Sequence, residues 1–183
     1  MSPIGHTVTA FAMATAYLRI SDVSLSQSFS SLPKMMMSGN LASIDHSAFV
    51  TLVALGILLG ARGPDRLEVP SFNRRTQTRR SVIPHRTLTH WPPLWVAMTA
   101  ICLLTLVSTH DFLLYEITSV GFGFCAAGWL HLAMDIMTPS GIPLVMPFGS
   151  RFSFNLYKTS QPGEWLCILL FVVGCQFFFV VAA

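Results

Sequence analysis

Apolar positions along this chain gather into long runs separated by short polar stretches. Four runs reach the ~20 residues that a membrane helix needs: 41-LASIDHSAFVTLVALGILLG-60, 92-PPLWVAMTAICLLTLVST-109, 112-FLLYEITSVGFGFCAAGWLHLAMD-135 and 164-EWLCILLFVVGCQFFFVVAA-183. A fifth, 3-PIGHTVTAFAMATAYLRI-20, is shorter and polar at its start. No Lys or Arg precedes its apolar part and Arg19 follows it, so it reads as a span or a packed bundle helix rather than a signal peptide. The pattern predicts an all-α fold, an integral membrane helical bundle of four to five transmembrane helices. Residues 1–183 are expected to form a single membrane-embedded domain.

Composition agrees with lipid as the solvent. The chain is 52% hydrophobic and only 10% charged, with 14 Phe and 9 Met, whereas about a quarter of a soluble domain is charged. Cys102, Cys125, Cys167 and Cys175 all lie inside apolar runs without a C-x-x-C pair. They read as small packing residues, and no disulfide framework is implied.

The placement of charge says more than its amount. Seven of the 11 basic residues fall between 61 and 90 (Arg62, Arg66, Arg74, Arg75, Arg79, Arg80 and Arg86), and Arg151 and Lys158 lie before the last run. Short basic loops stay cytoplasmic. Both loops then predict one orientation in the bacterial inner (plasma) membrane: multi-pass, N-terminus cytoplasmic, segment 21–40 and the C-terminus outside. The run 73-NRRTQTRR-80 has no interleaved aromatics and sits between two spans. It reads as a topogenic signal touching anionic lipid headgroups, so membrane lipid is the expected partner and nucleic acid is not.

That topology gathers chemistry on one side. His6 opens the first run, Pro64 and Asp65 follow the second with Glu68 close behind, and His85, Arg86 and His90 precede the third. His131 and Asp135 stand four apart near the end of the fourth, on one helix face as two ligands of one ion would be. A catalytic zinc takes about three His or carboxylate ligands and keeps a position for water, whose pKa it lowers to near neutrality. His85 and His90 are five apart, about 140° around an ideal helix, so the two rings either converge at a helix entry or serve different roles. Arg86, planar and always charged, suits a phosphate or oxyanion. Trp91 and Trp95 suit an interfacial belt. His46, His110, Asp45, Asp111 and Glu116 fall on the outer side and read as packing or headgroup residues.

The order 5-GH-6, 64-PD-65, 85-HRTLTH-90 and 131-HLAMDIMTPSGIPL-144, followed by 147-PFGSRF-152, resembles the YdjM-like family of bacterial inner-membrane proteins, which are described as metal-dependent hydrolases by prediction. The resemblance covers most of the chain. It implies about four helices and a divalent metal, zinc being the expected ion, held by His6, Asp65, His85, His90, His131 and Asp135. Thr138 and Gly141 would shape the turn that follows. Where the family reads P-D-x-D-H, this chain reads 64-PDRLE-68: Leu67 cannot bind a metal, whereas Glu68 can bind one or act as general base.

Two functions follow. The first is a metal-dependent hydrolase with a cytoplasmic-facing His/Asp site, phospholipase-like on lipid phosphodiesters, with Glu68 and Arg86 as catalytic groups. The second is a non-catalytic membrane protein whose His/Asp cluster packs the helices through buried hydrogen bonds. A transporter is disfavoured, since no paired interrupted helices appear.

Overall fold

Ser2 and Pro3 start the first helix: the Ser2 hydroxyl accepts from the Gly5 amide at 3.1 Å, and Pro3 occupies the first turn, where its missing N–H leaves no bond unmade. The computed structural model describes residues 1–38, 46–68, 70–73, 78–81 and 86–182. In chain order these hold α1 (Pro3–Ile20), α2 (Leu25–Ser38), α3 (His46–Gly60), α4 (Gly63–Arg66), β1 (Pro70–Asn73), β2 (Thr78–Ser81), a 3-10 turn (Leu88–His90), α5 (Pro92–Ser108), α6 (Phe112–Ile136), β3 (Ile142–Pro143), β4 (Arg151–Phe152) and α7 (Pro162–Ala182). The mostly helical architecture agrees with the apolar runs, each of which is a helix over its described part.

α6 is the central helix, packed along α3 and α5, while α1 packs along α3 and α7. Close approach is built into the α3–α6 seam. A Cβ on Gly56 would sit 2.0 Å from the Val120 carbonyl oxygen, and one on Gly123 would sit 2.0 Å from that of Val53. Only glycine lets these backbones meet, the small-residue packing that joins helices where lipid removes the hydrophobic driving force. Ala10, Ala14, Val50, Val53, Ala54, Ile57 and Ala127 fill the space around it.

Helix directions alternate around the centre. His46 at the start of α3 meets the Ser21 carbonyl just past α1, and the α3 exit at Ala61 meets His131 near the end of α6. One end of the bundle therefore collects the start of α1, the end of α3, the start of α5, the end of α6 and the start of α7.

Of these helices, α6, with 25 residues, is long and apolar enough to cross a membrane by length and composition; α3, α5 and residues 162–177 of α7 are apolar but shorter. α3 is described over 15 residues and α5 over 17, at or below the ~17 residues at the short end of the spanning range.

Three local features add to or amend these expectations. Segment 21–40, which lies between the first two apolar runs, contains a helix of its own, α2, which carries Pro33 inside it. Of the basic run, Asn73 ends β1 and Thr78–Arg80 lie in β2, two strands that pair antiparallel with Phe72 opposite Arg79. Trp95 is no interfacial anchor: it is fully buried, stacks on Phe124 and donates from its indole to the Thr89 carbonyl at 2.8 Å.

Candidate metal centre

Each helix end delivers one or two candidate ligands. α1 brings His6 in its first turn. α4, a single turn with Pro64 as its second residue, brings Asp65, and Glu68 follows it. The 3-10 turn brings His90, and the last turns of α6 bring His131 and Asp135. His6, His90, His131 and Asp135 are buried to 3% exposure or less. Asp65 and Glu68 keep 25% and 12% of their side chains exposed, so they form the open side. Leu67 is turned outward and exposed, leaving the inward place to Glu68. His85 lies outside the described residues.

Four atoms form the heart of the cluster. His90 Nε2 stands 3.5 Å from Asp65 Oδ1 and 3.3 Å from Asp135 Oδ2. His131 Nε2 stands 3.7 Å from Asp65 Oδ1 and 3.5 Å from Asp135 Oδ2. The His90 and His131 rings meet edge to face at 5.3 Å, and His6 stacks flat on His131 with centroids 3.5 Å apart. Three overlapping sets each have ligand atoms within 4.8 Å of one another: His6, Asp65 and His131; His90, His131 and Asp135; Asp65, Glu68 and His90.

The surroundings orient these groups. His131 Nδ1–H donates to the Ala61 carbonyl at 3.2 Å, which turns Nε2 toward the carboxylates, as in metal sites whose ligand histidines are held through the far nitrogen. His131 Nε2 and His6 Nδ1 are buried and make no hydrogen bond among the described residues. Asp135 Oδ1 faces the other way, toward Arg86 Nη2 at 2.8 Å, His6 Nε2 at 3.5 Å and the Met1 amino nitrogen at 2.5 Å.

Arg86, expected to meet an oxyanion, is buried against protein acceptors instead. Beyond Asp135, its Nη1 donates to Thr138 Oγ1 at 2.9 Å and lies 3.4 Å from the Gly141 carbonyl. Its backbone has φ +57°, a conformation that strains a non-glycine residue by about 1–3 kcal/mol. The Arg86 amide donating to Glu68 Oε1 at 3.1 Å helps to hold that shape. Thr138 and Gly141 do shape the turn after α6: Gly141 takes φ +56°, and a Cβ there would strike the Phe152 carbonyl at 2.2 Å. Burial raises the Asp65 carboxyl, but the His131 and His90 rings outweigh it and hold the group below the ordinary carboxylate range.

Glu164 escaped the sequence reading. It is fully buried, accepts from the Ser2 amide and the Ser160 amide at 2.5 Å each, and so ties the start of α1, four residues from His6, to the start of α7. Its only signal is a carboxylate at the edge of a long apolar run.

An arrangement of three histidines and three carboxylates at one end of a helical bundle defines a protein whose buried groups could hold a metal ion. The family model for the YdjM inner membrane proteins matches residues 1–183, and the chain belongs to that family. No curated protein and no solved structure matches it.

Proposed function

We propose that this chain is a metal-dependent hydrolase of the inner membrane, with four to five spans, its N-terminus cytoplasmic and its His/Asp centre open to the cytoplasmic leaflet. One observation carries the reading: the four distances of 3.3–3.7 Å between His90 or His131 Nε2 and Asp65 or Asp135 oxygens. Direct charge-assisted hydrogen bonds run about 2.7–2.9 Å. Ligands about 2.0–2.2 Å from one tetrahedral zinc are instead separated by about 3.3–3.6 Å. The buried pairs are spaced as ligands around an ion, not as a hydrogen-bonded staple, and this favours metal binding over a purely packing role.

A divalent ion here supplies Lewis acidity and lowers the pKa of water to near neutrality. The residues do the rest. His90, His131, Asp65 and Asp135 would hold it, and His6, stacked on His131, would offer a further ligand atom. Glu68, at the exposed rim, is placed to take a proton from the attacking water. Arg86 holds Asp135 so that Oδ2 faces the histidines, and the Glu68 contact to its amide couples the base to the same scaffold. The centre lies where the helices end, at headgroup depth, which favours a lipid phosphodiester as substrate.

The test is metal removal. Purified protein stripped with chelator should lose hydrolysis of a phosphodiester and regain it with zinc, and His131→Ala should bind no stoichiometric metal. A preparation that never binds metal ends this reading in favour of the packing role.

A further inference from the structure

The reverse face of the ligand-bearing end of α6 forms a groove. It has a volume of about 310 Å³ and an entirely apolar lining, including Pro92, Trp129, Leu132, Ile136, Ile142 and Leu144. That volume is at the lower end of ligand sites, roughly 300–1,000 Å³. Its lining is interleaved with the centre along the chain: Leu132 follows His131, Ile136 follows Asp135, and Pro92 lies two residues past His90. The indole of Trp129 is held by its donation to Thr99 Oγ1 at 3.1 Å. Trp91 pins the rim by donating to the Val145 carbonyl at 3.2 Å.

The segment that follows Leu144, the last residue of the groove lining, exposes several apolar side chains among the polar Ser150, Arg151 and Asn155. Val145 is 82% exposed, Met146 67% and Phe148 72%, and Phe152, Phe154 and Leu156 are exposed as well. Yet the segment is fixed, because the Phe154 amide donates to the Ile136 carbonyl and the Leu156 amide to the Met137 carbonyl, both at 2.8 Å. A rigid apolar surface of this kind marks a membrane contact. α5 likewise exposes Val96, Leu103, Leu104 and Val107.

We propose that this groove seats one acyl chain of a phospholipid and thereby places its headgroup over the His/Asp centre. The inference rests on the hydrolase reading and names the part of the molecule that selects the substrate. The surface of an inner-membrane protein borders acyl chains, and a groove with no polar lining offers nothing to a headgroup or a peptide backbone. The chain is held beside α6, and the ester or phosphodiester end emerges near Pro92 and His90.

The decisive variant is Ala133→Trp. Ala133 is exposed and lines the groove, so a large ring there fills the groove without entering the buried cluster. In detergent-purified full-length protein titrated with phosphatidylglycerol, native mass spectrometry should find about one retained lipid per wild-type chain and at least tenfold less retention by Ala133→Trp. Zinc content should stay equal. Equal retention by both proteins overturns the groove, as does a variant that only converts a dimer to a monomer. A phosphatidylglycerol with a diazirine in mid-chain tests the unaltered protein: after dilution into detergent its crosslinks should remain on residues 129–144 and disappear from Val96, Leu104 and Val107. Crosslinks spread evenly would also overturn the assignment. Absence of zinc from both proteins removes the hydrolase reading, while lipid retention still judges the groove by itself.

Discussion

The two ends of the bundle hold the same kinds of residue with opposite fates. At one end His6, His90, His131 and Asp135 are buried together. At the other, His46 and His110 are exposed. His46 only touches the Ser21 carbonyl at 3.3 Å, and Asp111 caps α6 by accepting from Leu114 at 2.7 Å. The difference is not residue type but how many helix ends converge. A lone ionisable group at a helix end keeps its water, whereas several brought together exclude it and must satisfy one another or an ion.

That comparison can be broken most sharply at Asp135. Asp135→Ala should abolish metal binding and destabilise the fold by about 3–5 kcal/mol, because Arg86 is left as a buried charge without its carboxylate. Asp111→Ala at the other end should cost about 1 kcal/mol, the loss of a cap, with metal content unchanged. Thermal unfolding in detergent together with metal analysis reads both, and equal effects at the two ends would remove the distinction.

A smaller effect sharpens the same contrast at Glu68. Glu68→Gln should retain metal while lowering kcat by about 10²–10⁴, the range of general-base loss; His46→Gln should leave turnover within error. Arg86→Lys, which keeps the charge but loses the planar fork, should weaken metal affinity about 10–100-fold, as removal of a ligand's orienting partner does. Isothermal titration with zinc measures it.

The smallest effect concerns pH. Because Asp65 is held below the ordinary carboxylate range, its charge and the stability linked to it are present above about pH 4 and are lost only as the solution is acidified through its folded value. The ratio of zinc affinities between wild type and Asp65→Asn should therefore be flat from about pH 5 to pH 8. A ratio that collapses within that range would mean that Asp65 is not held ionised by His90 and His131.

Much of the molecule was legible in the chain. The apolar runs marked α1, α3, α5, α6 and α7, since a helix that must satisfy its own backbone in lipid needs little more than length and apolarity. The residues that meet at the candidate centre, His85 outside the described residues excepted, were legible for the complementary reason, that ionisable residues are costly in such surroundings and stand out. α2 was not, because Ser and Met carry no run and Pro33 argues against a helix. The β1–β2 pairing was hidden behind the charged and polar residues of the two strands. Glu164 was hidden too, since its partners are the backbone amides of Ser2 and Ser160, which no side-chain pattern reports.

The segment from 84 to 98 shows the division. By itself the sequence determined that polar, ligand-bearing residues precede an apolar helix, and that His131 and Asp135 share a face of another. Only the tertiary structure decided that His90 sits on a 3-10 turn facing Asp65 and Asp135, that Arg86 is turned by a positive φ onto Asp135, and that Trp95 is buried against α6. Spacing along one chain constrains neighbours within a helix, but which separate helix ends meet is set by packing, here by the Gly56–Gly123 seam that brings α3 and α6 together and carries their ends to one place.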